Sequence, residues 1–176
     1  MNALQKNPRR AMHVVALADV PATPWKNGGG LTRDLLAWPG VARWFCVLQG
    51  AGVVLHFEGG PQTLTPDSAP LHFDGAAAPG CDLVAGPTLD LNLMAQRAAG
   101  RAEMARAVAG VPWRSNAPLR AVFCLQPGVL HVTGRAPLAI AAGTLAFAEQ
   151  ARGEAWRLVG RPTAAAWWLA FEPHPQ

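Results

Sequence analysis

An all-β chain made of two sister halves is what the sequence predicts, on three observations. Short runs rich in Val, Leu, Phe and Trp, bounded by Gly, Pro and Asp turns, extend from Met12 to Phe171, as expected for strands joined by tight connections. The pattern then recurs. Phe45-Cys46-Val47-Leu48-Gln49-Gly50 is echoed by Phe123-Cys124-Leu125-Gln126-Pro127-Gly128, and Val54-Leu55-His56-Phe57 by Val129-Leu130-His131-Val132. Leu64, Leu71 and Phe73 also have the internal spacing of Leu138, Leu145 and Phe147. An offset of about 75 residues held over several strands marks a duplicated β unit. Finally, Leu89, Leu91 and Leu93 alternate with Asp90, Asn92 and Met94, the period of two that gives a strand one apolar and one polar face. Two such units facing each other make a double-barrel β architecture with few or no helices.

In chain order, residues 12–18 read as a first strand. Its start, Lys6 to Arg10 followed by an apolar run, faintly mimics a signal peptide, but the run is short, is broken by His13 and meets Asp19 at once. A glycine-rich loop follows, then a second strand over Thr32 to Ala37 that ends at the turn Trp38-Pro39-Gly40. Arg43 to Gln49 and Val53 to Phe57 form a hairpin across Gly50-Ala51-Gly52. Strands continue through Thr63-Leu64-Thr65 and Pro70-Leu71-His72-Phe73, and the Leu89 to Arg97 strand places Asn92 on its polar face. That face lines a barrel mouth or meets solvent; the pattern leaves both open. From Ala99 to Gly110 the Ala-rich stretch with Glu, Met and Arg fits a short helix as well as a strand. Trp156 to Val159 and Ala165 to Phe171 close the fold.

The glycine-rich loop holds the chemistry. Pro24-Trp25-Lys26-Asn27-Gly28-Gly29-Gly30-Leu31-Thr32-Arg33-Asp34 is the one place where an aromatic, two cations, an amide and three successive glycines meet, and Lys26 is one of only two lysines. Glycines let a ligand approach backbone N–H groups. Lys26 and Arg33 supply charge, while Asn27 and Thr32 supply neutral hydrogen bonds. The segment therefore suggests an anion or carboxylate site; a solvated hairpin loop is the alternative. It is not a phosphate loop, because Lys26 precedes the glycines and neither glycine phosphate motif is present.

These residues resemble the signature of the HutD/Ves family: Trp25-Lys26-Asn27-Gly28-Gly29-Gly30 with Thr32-Arg33, led by Ala18-Asp19-Val20-Pro21-Ala22-Thr23. Further matches are Leu48-Gln49-Gly50-Ala51-Gly52 and Gly86 to Met94 with Arg97. The resemblance implies a bicupin of two RmlC-like jelly-roll halves, taking residues 1–176 as one unit with halves at about 12–97 and about 98–172. It also implies a role in histidine utilisation through binding a pathway metabolite. On this reading a small carboxylate such as urocanate or N-formylglutamate meets Lys26 and Arg33. Asn27, Thr32 and Asn92 orient it, the backbone of Gly28 and Gly29 approaches it, and Trp25 packs against it. One departure stands out: only Asp34 to Trp38 separate the signature from Pro39-Gly40-Val41-Ala42-Arg43, where the family has a further strand and loop. A thinner pocket wall, or one supplied by a second subunit, is then expected, with an exposed strand edge open to homodimerisation.

Composition bounds the alternatives. A net charge of +4 comes from scattered Lys and Arg with only Arg9-Arg10 adjacent, so nucleic acid is not an expected partner. Nor is a membrane expected, since no apolar stretch approaches the eighteen or so residues that span one. Cys46, Cys81 and Cys124 form no CxxC pair and read as free thiols of a reducing cytoplasm. The five histidines include no HxH pair; His56 and Glu58 lie two apart on one strand, but the echoed His131-Val132-Thr133 lacks the acid. No metal and no cofactor is therefore expected. Ser68 and Ser115 lack a nucleophile frame. A binding protein is the first reading. A metal-independent cupin enzyme, isomerase or hydrolase, with Lys26 as base is the second. A non-catalytic partner-binding protein is the third.

Overall fold

The structure is a computed structural model that describes residues 11–20, 23–24, 31–32, 42–77, 79–160 and 165–175. Strand β1 (Met12–Ala16) runs into a single 3-10 turn at Leu17–Asp19, shorter than the strand expected to Ala18. β2 (Thr23–Pro24) and β3 (Leu31–Thr32) pair antiparallel, Thr23 opposite Thr32 and Pro24 opposite Leu31.

Six strands follow: β4 (Ala42–Gln49), β5 (Val53–Phe57), β6 (Gly60–Leu64), β7 (Leu71–Asp74), β8 (Gly80–Leu83) and β9 (Leu89–Ala95). They make two sheets, ordered β7-β4-β9 and β6-β5-β8. After β10 (Gly100–Arg106) and β11 (Trp113–Arg114), six more strands repeat the plan: β12 (Leu119–Cys124), β13 (Gly128–Val132), β14 (Leu138–Ile140), β15 (Thr144–Ala148), β16 (Ala155–Val159) and β17 (Ala166–Pro173). Here the orders are β15-β12-β17 and β14-β13-β16, the same neighbours in the same sequence. β1 and β10 extend the first of these sheets at its two edges, and β11 extends the second beside β16. This twice-repeated six-strand unit is the bicupin architecture.

Ala99 to Gly110 resolves as strand because β10 pairs with β17 from Gly100–Pro173 to Arg106–Trp167. Gly100, Ala102 and Met104 point inward while Arg101, Glu103 and Ala105 are exposed. The ladder and this two-residue burial period outweigh the helix preference of alanine. Gly100 is required there, since a Cβ would meet the Glu172 carbonyl oxygen at 2.3 Å. In the β4–β5 turn, Gly52 has φ +119° and would bring a Cβ within 2.4 Å of the Leu64 carbonyl oxygen.

Burial divides into three clusters. Phe45, Val47, Val53, Leu55 and Leu64 fill the space between the two sheets of the first repeat. Val122, Cys124, Leu130, Val132, Ile140, Trp156, Leu158 and Trp168 do so in the second. Between the repeats, Cys46, Leu48, Leu91 and Leu93 pack on Met104, Ala121, Phe123, Leu145, Trp167 and Leu169. The two repeats thus share a core in addition to their own.

The sequence echo is displaced by one residue in two of the strands. Phe45 pairs with Leu71, and Phe123 with Leu145, so both echoed pairs are true cross-strand neighbours. Yet Phe45 points into its own repeat and Phe123 into the shared core. A one-residue slip inverts every side chain of a strand. By face and register it is Arg43, opposite Phe73 and Met94, that corresponds to Arg120, opposite Ala148 and Ala170.

Candidate functional site

On β9, Leu91 and Leu93 enter the shared core, so the alternate residues Asp90, Asn92 and Met94 face the interior of the first repeat. Across the ladder, Asp90 lies opposite Val47, Asn92 opposite Phe45 and Met94 opposite Arg43. A run of polar groups therefore lies along one wall of an otherwise apolar interior. The expected strand to Arg97 ends at Ala95; within it Asp90, Asn92 and Met94 line that interior, while Gln96 beyond it is exposed.

Arg43 donates from Nη2 to Asn92 Oδ1 at 2.6 Å, short as charge-assisted bonds are. Its guanidinium carbon sits 5.2 Å from the centre of the Phe73 ring, and Phe57 meets that ring edge-on at 5.2 Å. The Arg43 Nε is buried with no hydrogen-bond partner among the described residues. Burial lowers the Arg43 pKa, because a low-dielectric surrounding disfavours the charged form. A carboxylate placed here would find a planar donor fork beside an amide and an aromatic wall.

Asp90 takes a hydrogen bond on Oδ2 from Thr88 Oγ1 at 3.1 Å. Its Oδ1 is buried and unpartnered among the described residues. Burial pushes the carboxyl up to about 6, against the opposing Thr88 bond. That carboxylate in turn helps burial to raise the thiols of Cys46, to about 12, and Cys81. All three cysteines are free, and Cys46 lies 3.8 Å from the Met104 sulfur.

Of the residues singled out from the sequence, Asn92 is placed with a polar partner, and that partner, Arg43, was not among them. Arg43 was read as the start of a strand and the end of the Pro39-Gly40-Val41-Ala42-Arg43 stretch, not as a site residue; its signal was an arginine at an inward-facing strand position, visible once the register is known. Trp25, Lys26, Asn27, Gly28, Gly29 and Arg33 lie outside the described residues. Thr32 is placed only by its backbone pairing in β3. The His56 and Glu58 pair does not form on one strand: Glu58 falls in the turn after β5, and His56 Nε2 instead meets Asp82 Oδ2 of β8 at 2.8 Å. Among the described residues, no three His, Cys, Asp or Glu side chains gather as a metal site would need. No helix among them is long and apolar enough to cross a membrane.

Twelve strands in two equivalent units, with polar residues lining one interior, define this protein as a bicupin. Residues 37–167 match the HutD family model, and the chain belongs to the HutD family. Among solved structures it is similar to the conserved protein of unknown function PA5104 from Pseudomonas aeruginosa PAO1, with a TM-score of 0.82 at 24% identity, covering 94% of this chain and 100% of that one. It is also similar to HutD from Pseudomonas fluorescens SBW25, solved in a formate condition, with a TM-score of 0.75 at 23% identity, 94% of this chain and 100% of that one. At these identities the likeness is one of fold. No curated protein sequence matches the chain.

Proposed function

We propose that this chain is a HutD-type binding protein that captures a small carboxylate metabolite, such as urocanate or N-formylglutamate, and thereby tunes histidine utilisation. The observation that carries this reading is Arg43: a half-buried guanidinium inside the first repeat, with one bond to Asn92 and a buried Nε unpartnered among the described residues. Leaving such a donor unmet costs roughly 1–3 kcal/mol, and a bound carboxylate offsets that cost with two parallel bonds. Lys26 and Arg33 of the glycine-rich loop add charge to the same ligand, with Asn27, Thr32, Gly28 and Gly29 as hydrogen-bonding partners and Trp25 as an apolar wall. Three free cysteines are in keeping with a reducing cytoplasm.

Thermal unfolding with urocanate, N-formylglutamate, histidine and formate tests the reading. A ligand at about a hundred times its Kd adds about 2.7 kcal/mol of stability. Both Lys26→Ala and Arg43→Met should remove the ligand-induced shift while leaving the unliganded melt within about 1 kcal/mol. Turnover of any of these compounds would argue for an enzyme with Lys26 as base. Silence across the panel, with a melting temperature that climbs with protein concentration, would argue for a partner-binding protein.

A further inference from the structure

We infer that Asp90 is a second anchor of the first-repeat site, so that the ligand is amphoteric: an acid group at Arg43 and Asn92, and an N–H or O–H donor at its opposite end. This rests on the carboxylate reading above and goes further by assigning the far end of the ligand. Asp90 and Asn92 occupy alternate positions of β9 and face the same interior, about 7 Å apart along the strand. A compact molecule with a carboxylate at one end and a ring or amide donor at the other spans that distance.

Three observations point the same way. Asp90 holds one oxygen with Thr88, which leaves Oδ1 buried and unpartnered among the described residues; a buried carboxylate oxygen without a donor is costly unless something meets it. Next, the second repeat, built on the same register, has Ala166 and Trp168 where the first has Asp90 and Asn92, so the fold itself does not require an acid there. Lastly, the elevated Asp90 pKa follows from burial, and a ligand donor would relieve the same desolvation that raises it.

Calorimetric titration of the full chain with urocanate and with furylacrylate separates the two ends. The pair share a carboxylate and a flat ring, but the furan carries no N–H. Wild type is expected to bind urocanate at least about tenfold tighter. Asp90→Ala should weaken urocanate alone and bring the ratio towards unity. Asp90→Asn, which retains an oxygen for Thr88, should bring the ratio down in a protein closer to native, should the alanine variant fail to fold by circular dichroism. Equal affinity of wild type for both compounds, or a ratio that Asp90 substitution leaves unchanged, overturns the inference while the carboxylate reading stands. Binding of neither compound overturns both.

Discussion

Arg43 and Arg120 occupy the same place in the two repeats and have opposite surroundings. Arg120 is fully buried, donating from Nη1 to the Glu154 carbonyl at 2.7 Å and from Nη2 to that of Ala151. Its guanidinium lies 5.5 and 5.1 Å from the rings of Trp113 and Trp156. Trp113 also stacks on Trp168 at 5.0 Å and 3°. Glu154 lies near it and is held by Arg135 at 2.8 Å. Burial lowers the Arg120 pKa to about 10, against the opposing pull of Glu154. Arg43 has Asn92 where Arg120 has Trp168, and Asp90 stands where the second repeat has Ala166. The Nε of each arginine is unpartnered among the described residues, so the contrast lies in the rest of the fork and in what faces it. The second repeat has filled its own interior with indole rings and backbone carbonyls. The first keeps polar groups at the equivalent points, as the proposed carboxylate site requires.

Exchanging residues between the repeats tests this contrast. Trp168→Asn gives the second repeat the first repeat's residue, removing a large buried ring and adding a buried amide. It should cost roughly 3–5 kcal/mol in urea unfolding; a loss under 1 kcal/mol would mean the indole cluster does not hold that repeat together. Arg120→Met strands two buried carbonyls and should cost roughly 2–4 kcal/mol, whereas Arg43→Met is expected to stay within about 1 kcal/mol and to act on ligand binding instead. Equal losses at the two arginines would erase the distinction. The reverse exchange, Asn92→Trp, should overpack the first repeat by roughly 1–3 kcal/mol and abolish any ligand-induced thermal shift, because the ring would occupy the place proposed for the ligand.

A further test concerns pH. The Asp90 carboxyl is raised from its ordinary 3.8 to about 6 in the folded chain. A raised acid binds more protons folded than unfolded, so it lowers stability as pH rises through that window and has its full cost above it. Asp90→Asn should therefore raise the melting temperature at pH 8, and the gain should vanish near pH 4 and below. A gain that persists undiminished into acid would show that Asp90 is not the titrating group.

Much of the fold was legible in the chain. Strand-forming runs, glycine turns and the recurrence of Phe-Cys segments pointed to a duplicated β protein, and the alternation at Leu89 to Met94 assigned Asn92 to the polar face. Ala99 to Gly110 was ambiguous because its composition favours a helix, and only the pairing with β17 made it a strand. Arg43 escaped notice for a different reason. The echo aligned Phe45 with Phe123, one residue from the true correspondence, and that slip concealed the match of Arg43 with Arg120. Asp82 as the partner of His56 was equally hidden, since β8 reaches β5 only through the sheet.

By itself, then, the sequence determined most of the strand content, the twofold repetition and the family signature, since these depend on local periodicity and short-range spacing. Which of two similar segments faces a shared core, and which polar side chains meet across a ladder, was decided only by the tertiary structure. Side chains alternate at every residue of a strand, so a shift of one position, invisible to composition, exchanges inside for outside.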